Sequence, residues 1–411
     1  MNKLQYLLFF TLITTFCYSQ NDTSSPYSLY GLGVENKTAT SGLTGLGNTG
    51  LAQNKSGEIN LFNPASLGNV ELKTFLFEFG LNGISSKLET TQESDNTTDF
   101  NISHVVMAFP VTPKLGLSFG LLPYTKVGYD IDVESYIEGS EDTYINRVTG
   151  SGGLNKVYVA GGYKFNDRLS VGLDLTYLFG SINQENTLFY ESLVNISDMN
   201  QYNGFKLKAG LQYNIFNEAD RALTLGGIIE LPTTLSGDQV RTSYKTSVNG
   251  SAIFIDFEEE SELDDFEFPF VYGIGVTSKI NKNLTASVDF TNLFWDETDQ
   301  YQDSQSYSNQ YIYGLGAEYI PEPSSKYFSN VSYRFGFNYN SGFLTISDQE
   351  INSYFISAGL GLPLSNRATL NLSYSYGSEG TVSNHLIQEK YHKLTLNLSF
   401  IGNWFNKSKY N

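Results

Sequence analysis

From about residue 70 onward the chain repeats one pattern, in which every second residue is large and apolar and those between are small or polar. In KLTLNLSF, Leu394, Leu396, Leu398 and Phe400 alternate with Lys393, Thr395, Asn397 and Ser399. LSVGLDLTYLF sets Leu169, Val171, Leu173, Leu175, Tyr177 and Phe179 against Ser170, Gly172, Asp174 and Thr176. VSYRFGFNY places Val331, Tyr333, Phe335, Phe337 and Tyr339 opposite Ser332, Arg334, Gly336 and Asn338. A period of two is the signature of a β-strand. A soluble sandwich would turn the large face inward and charge the other; here the second face is Gly, Ser, Thr and Asn with few charges. Tyr and Phe number 29 each and Gly 38. These features predict strands that put apolar side chains into lipid and polar ones into a lumen.

The connections let the strands be counted. Tight turns fall at VTPK (111–114), NDR (166–168), NEADR (217–221), NKN (281–283), PEPSSK (321–326) and SNR (365–367). Each joins two alternating runs, and a first strand near 70–82 and a last near 391–401 bring the total to 14. An even count puts both ends on one side, as bacterial barrels require. The expected fold is therefore all-β: a 14-stranded antiparallel transmembrane β-barrel over residues 70–401, with a plug at 21–69 and a tail at 402–411. The longer segments between strands, such as TTQESDNTTD and IDFEEESELDDFE, are polar and acidic and are expected as extracellular loops, with the short turns periplasmic.

The start, MNKLQYLLFFTLITTFCYSQ, reads as a signal peptide over residues 1–20, because its apolar run is too short to span a bilayer. Export to a Gram-negative outer membrane follows. Cys17 is the only cysteine, and bulky Phe16 before it disfavours a lipoprotein anchor, so the mature chain is expected to have no thiol and no disulfide. The net charge of −18 argues against nucleic acid as a partner. Residues 21–69 interleave apolar side chains such as Tyr27, Leu46, Ile59 and Phe62 with Gly, Asn and Ser; a 14-stranded barrel has a lumen wide enough to bury them as a plug. Within that segment GLGNTG (45–50), with Glu71 downstream, matches a dinucleotide-binding fingerprint. That fingerprint needs a preceding strand, a helix opening on it and a parallel sheet, none of which is predicted. No cofactor is expected, and Gly45, Gly47 and Gly50 instead let backbone pass close to the lumen wall.

Ahead of the barrel stands EINLFNPASLG, which resembles the amino-terminal hatch of the long-chain fatty acid transporter (FadL-type) family; Asn63, Pro64 and Ala65 match its Asn-Pro-Ala motif. SPYSLYGLG and the SQ ending the signal resemble outer-membrane proteins of the Bacteroidota lineage. The resemblance implies diffusion-type uptake of a hydrophobic small molecule, long-chain fatty acids or similar, released sideways to outer-membrane lipid where the third strand kinks. That strand is LGLSFGLLPYT, where Pro123 cannot donate a ladder bond and Gly116 and Gly120 weaken the pairing, so these three are the candidate lateral gate. A second reading makes the barrel an accessory or shuttle subunit of a larger outer-membrane secretion or barrel-assembly complex, with other outer-membrane proteins as partners. A general porin is disfavoured by the plug and by the lack of an arginine-rich constriction.

The inward face carries Glu78, Asp174, Lys206, Lys208, Glu230, Asp289, Glu318 and Arg334. Buried charges need partners, so acid–base pairs tying plug to wall are expected; the functional alternative has Lys206 or Lys208 meet a ligand carboxylate. Glu258, Glu259, Glu260, Glu262, Asp264, Asp265 and Glu267 form an acidic run without EF-hand spacing, expected as a solvated or partner-facing loop. His104, His385 and His392 lack metal-ligand spacing, no G-x-S-x-G elbow occurs, and neither metal nor enzymatic activity is expected.

Overall fold

The computed structural model of the chain describes residues 25–136, 143–189, 192–247, 252–299, 305–346 and 348–403. The expected signal peptide at 1–20 and residues 404–411 of the expected tail lie outside the described residues. Among the described residues no helix is long and apolar enough to cross a membrane.

Fourteen strands make a closed antiparallel ring. They are β1 (Thr74–Glu89), β2 (Ser94–Thr112), β3 (Leu115–Pro123, resuming as Thr125–Tyr136), β4 (Thr143–Lys164), β5 (Leu169–Phe189), β6 (Ser192–Asn217) and β7 (Ala222–Glu230, resuming as Thr233–Ser247). There follow β8 (Ala252–Phe268, resuming as Val271–Lys279), β9 (Leu284–Leu293), β10 (Gln310–Tyr319), β11 (Ser332–Asn340), β12 (Ser353–Ser365), β13 (Ala368–Glu379) and β14 (Gln388–Asn403). Each pairs with its neighbours in sequence, and β1 closes on β14 from Thr74↔Asn403 to Glu89↔Gln388. Closure matters because lipid offers no hydrogen bonds, so a spanning sheet must satisfy its backbone within itself.

Exposure runs opposite to that of a soluble protein. Leu173 and Phe335 are 59% and 61% exposed, while the intervening Asp174 and Arg334 are 7% and 6% exposed. Leu394 and Phe400 face out and Thr395 and Asn397 are buried, so the alternation in sequence is an apolar-out, polar-in wall. Val331 departs from it: it is buried at the start of β11, beyond the regular part of the strand.

Several strands run further than expected. Residues 83–100, 125–153, 181–202 and 233–267 were expected as loops, yet most of them continue the pairing of β1–β8 beyond the ring. Where both faces of a hairpin meet water, pairing needs no apolar alternation, so the pattern that marks a strand in lipid fades while the strand goes on. The acidic run is one case: Glu258, Glu259, Glu260 and Glu262 lie on β8, paired with Thr242, Arg241, Val240 and Asp238 of β7, and are exposed.

Three strands break at or beside prolines: β3 at Pro123–Tyr124, β7 at Leu231–Pro232 and β8 at Pro269–Phe270. Above the breaks the outer part of the β7–β8 hairpin brings Leu235, Phe266 and Phe268 into a buried apolar cluster with Leu32, Tyr124, Leu154, Leu178 and Trp295. Trp295 stacks on Phe343 at 4.6 Å between ring centroids and donates to Gln310 Oε1 at 3.0 Å. Residues 25–73 hydrogen-bond to inward side chains from β1, β6, β9, β11 and β14, strands spread around the ring.

Candidate functional site

The Asn-Pro-Ala motif lies deepest in the amino-terminal segment. Asn63 caps a six-residue 3-10 helix, Pro64–Asn69: its Oδ1 accepts from Ala65 N–H at 3.0 Å, and Pro64 occupies the first turn, where a missing donor costs nothing. The fully buried Asn63 amide donates to Leu51 O (2.7 Å), Leu211 O of β6 (3.1 Å) and Gly227 O of β7 (3.3 Å). One side chain thus ties the segment to itself and to two strands. The wall makes room for it with glycine: a Cβ on Gly210 would fall on Asn63 Oδ1, and one on Gly172 on the Pro64 carbonyl.

The inward charges fall into four groups. Glu78 accepts from Ser41 N–H (2.6 Å), Ser41 Oγ (2.8 Å) and Ser399 Oγ (2.8 Å), with His104 Nε2 at 3.0 Å. Glu318 takes Arg334 Nε at 2.9 Å and, from the amino-terminal segment, Lys55 Nζ at 2.6 Å; Glu58 of that segment stands 3.8 Å from Arg334. Asp289 has no cation; its Oδ2 accepts from Gly50 N–H (2.7 Å) and Leu51 N–H (2.9 Å). The last glycine of GLGNTG therefore does present its amide to an anion, but the anion is a wall carboxylate. Lys206 pairs with Glu230, and Lys208 lies 3.8 Å from Asp174 and donates to Leu61 O at 3.0 Å.

Ser41, Lys55, Glu58 and Lys156 were missed from sequence. The first three sit in a segment without periodicity, so nothing marked where they point. Lys156 was legible, because the alternation of Leu154, Tyr158 and Ala160, all buried, places it on the inward face. His104, scattered in sequence, is fully buried against Glu78. Among the described residues no group of His, Cys, Asp and Glu could hold a metal.

The wall opens at β3. Below the break, Leu115–Pro123 pairs with β2 up to Val105↔Leu121. Above it, Thr125–Tyr136 keeps β4 but leaves β2, so Ser94–His104 pairs only with β1. The outer part of β3 instead receives Val34 and Glu35 of the amino-terminal segment, opposite Lys126 and Thr125, and Asn36 N–H donates to Tyr124 O at 2.8 Å. Lys126 of β3 and Asp99 of β2 form an ion pair across the gap. Of the candidate gate residues, Pro123 lies at the break itself. Gly116 lies under Leu67, whose carbonyl a Cβ would strike, and Gly120 lies against Val105 and Tyr158.

A cavity of about 700 Å³ occupies the outer half of the lumen and reaches this gap, with Asp99, Asn101, Thr125 and Lys126 in its wall. Ile84, Phe179, Phe343 and Phe355 give it apolar surface, interrupted by Asn82, Asn338, Glu379 and Lys393. Its floor is the amino-terminal segment, through Tyr30, Val34, Lys37 and Asn48.

A family model described as BamG matches residues 1–411. No curated protein matches the sequence. Solved structures do match in fold: the toluene transporter TodX of P. putida, 14% identical, with 91% of this chain and 100% of that chain covered at a TM-score of 0.64. The Ralstonia pickettii toluene transporter TbuX is 15% identical over 90% and 98% of the two chains, at a TM-score of 0.60. A Pseudomonas aeruginosa FadL homologue is 11% identical over 91% and 100%, at a TM-score of 0.61. At these identities the likeness is one of fold: a FadL-like barrel.

Proposed function

The chain belongs to the BamG family, and on its FadL-like barrel we propose diffusion-type passage of a small hydrophobic or amphipathic molecule from the outer cavity sideways into the outer membrane. The observation that carries this is the break at Pro123. β2 gives up its β3 neighbour over Ser94–His104, outward from the point where their ladder ends at Val105↔Leu121, and the gap so made is the one the cavity reaches. The residues 25–73 act as a plug that blocks straight passage, which leaves the side route. Polar groups among the lining favour a ligand with one polar end over a plain hydrocarbon; the neighbours' toluene is not carried over.

A second reading has its own observation. The outer parts of β3 to β8 form a sheet standing beyond the ring, and among the described residues its last strand, Ala252–Phe268, pairs on one side and exposes six carboxylates from Glu258 to Asp265. A free, strongly acidic edge suits a basic partner protein by strand addition, which fits an accessory subunit of a larger outer-membrane complex.

One pair of variants tests the first reading. With Cys17 in the expected signal, Asp99→Cys/Lys126→Cys places two thiols across the gap in an otherwise thiol-free mature chain. A short bismaleimide linking them should abolish ligand uptake or exchange, while either single variant treated alike keeps it; equal uptake after linking overturns the side route. Purification in mild detergent addresses the second reading: a stoichiometric outer-membrane partner lost on charge reversal at Glu258–Glu260 supports it, and a barrel that purifies alone with a lipid-like ligand opposes it.

A further inference from the structure

Beside the break in β3 lies a second cavity, of about 50 Å³, lined by Leu61, Tyr124, Lys156, Tyr158, Asp174, Thr176, Lys206, Lys208 and Glu230. Three ammonium groups and two carboxylates face it. Lys206 is matched by Glu230 and also donates to Tyr124 Oη at 3.2 Å. Lys208 is matched, more loosely, by Asp174, whose Oδ1 is taken by Thr176 Oγ1 at 2.8 Å. Lys156 is left over. Among the described residues it has no hydrogen-bond acceptor and no carboxylate within ion-pair distance, and its Nζ lies over the Tyr124 ring at 5.5 Å. Glu35 lines the larger cavity and is near enough for its carboxylate to act on Lys156 and Lys206, outside hydrogen-bond distance of either.

An ammonium group without an acceptor inside a barrel wall is costly unless a counter-charge joins it. The void it faces holds one or two waters, or a single ion of that size, and excludes an acyl chain. From this geometry we propose that the Lys156–Lys206–Lys208 cavity is a site for one small inorganic monoanion of halide size. The anion takes the position to which Lys156 Nζ points with no protein acceptor. It lies beside Tyr124, the residue at the break, so occupancy steadies the wall on which the outer part of β3 turns.

The full-length protein in detergent, heated in sodium chloride or in sodium gluconate at equal ionic strength, reads this directly. Chloride should raise the unfolding temperature in a saturable way relative to gluconate, which is too large to enter, and bromide should replace chloride with an anomalous diffraction peak within the cavity. Lys156→Met removes the ammonium group without an acceptor and should abolish the chloride–gluconate difference while unfolding at or above the wild-type temperature in gluconate. Should Lys156→Met not fold, Lys156→Gln and the bromide peak decide the matter. Equal unfolding in the two salts with no bromide peak overturns the proposal, since Lys156 is then neutral or hydrated; so does a chloride effect that survives in Lys156→Met.

Discussion

Glu318→Leu should release the amino-terminal segment from the lumen wall while leaving the ring intact. Glu318 is 2% exposed and is the shared anion of Arg334, on the next strand, and Lys55, on the segment. Removing it leaves the guanidinium of Arg334, 3% exposed, without its nearest counter-charge. Stranding one member of a buried pair costs roughly 3–5 kcal/mol. Glu58, 3.8 Å from Arg334, offsets part of that, so the lower end applies. The ladder between β10 and β11 involves backbone alone, from Ile312↔Asn340 to Tyr319↔Tyr333, and is untouched. The expected readout is a folded, heat-modifiable barrel band together with new protease cleavage in residues 25–73. Glu318→Gln keeps an acceptor for Arg334 Nε and should be cleaved more slowly. Equal resistance of both variants and wild type would mean that the Glu78, Asp289 and Asn63 anchors hold the segment without this pair.

The ring was legible in sequence because lipid enforces it. Every turn of Leu173–Asp174–Leu175 has to choose between hydrocarbon and lumen, and the side-chain period records that choice. The same physics explains where legibility ended. Beyond the membrane the hairpin of β7 and β8 has water on both faces, so Glu258–Glu262 carried no strand signal and only pairing reveals it. Within the lumen the segment has neither period. Its Asn-Pro-Ala turn could be singled out as a motif, but that Asn63 donates to carbonyls of two different strands depends on Gly172 and Gly210, residues 109 and 147 positions away, leaving space. Asp289 shows the limit most plainly. Sequence reasoning sought a cation for it, and its partners are two backbone amides, which no residue type announces.

Removal of residues 26–70 altogether should have the opposite character from Glu318→Leu: a large change in conductance with little penalty to the barrel. Glu318, Arg334, Glu78 and His104 are costly when stranded singly in a packed interior; with the segment gone they face a water-filled lumen, where solvation takes the place of the lost partners. Among the described residues one ladder is lost, that of Val34 and Glu35 on the outer part of β3. The ring from β1 to β14 keeps its closing pairs, so strand content and membrane insertion should persist. In planar bilayers the wild type should stay closed and the deleted form should pass ions in steady steps, because 14 strands enclose more space than inward side chains fill. A deleted form that remains electrically silent would show that closure resides in the outer hairpins, where Leu235, Phe266, Phe268 and Trp295 meet over the lumen. That result would assign to β7 and β8, and not to the amino-terminal segment, the part that must move for anything to enter.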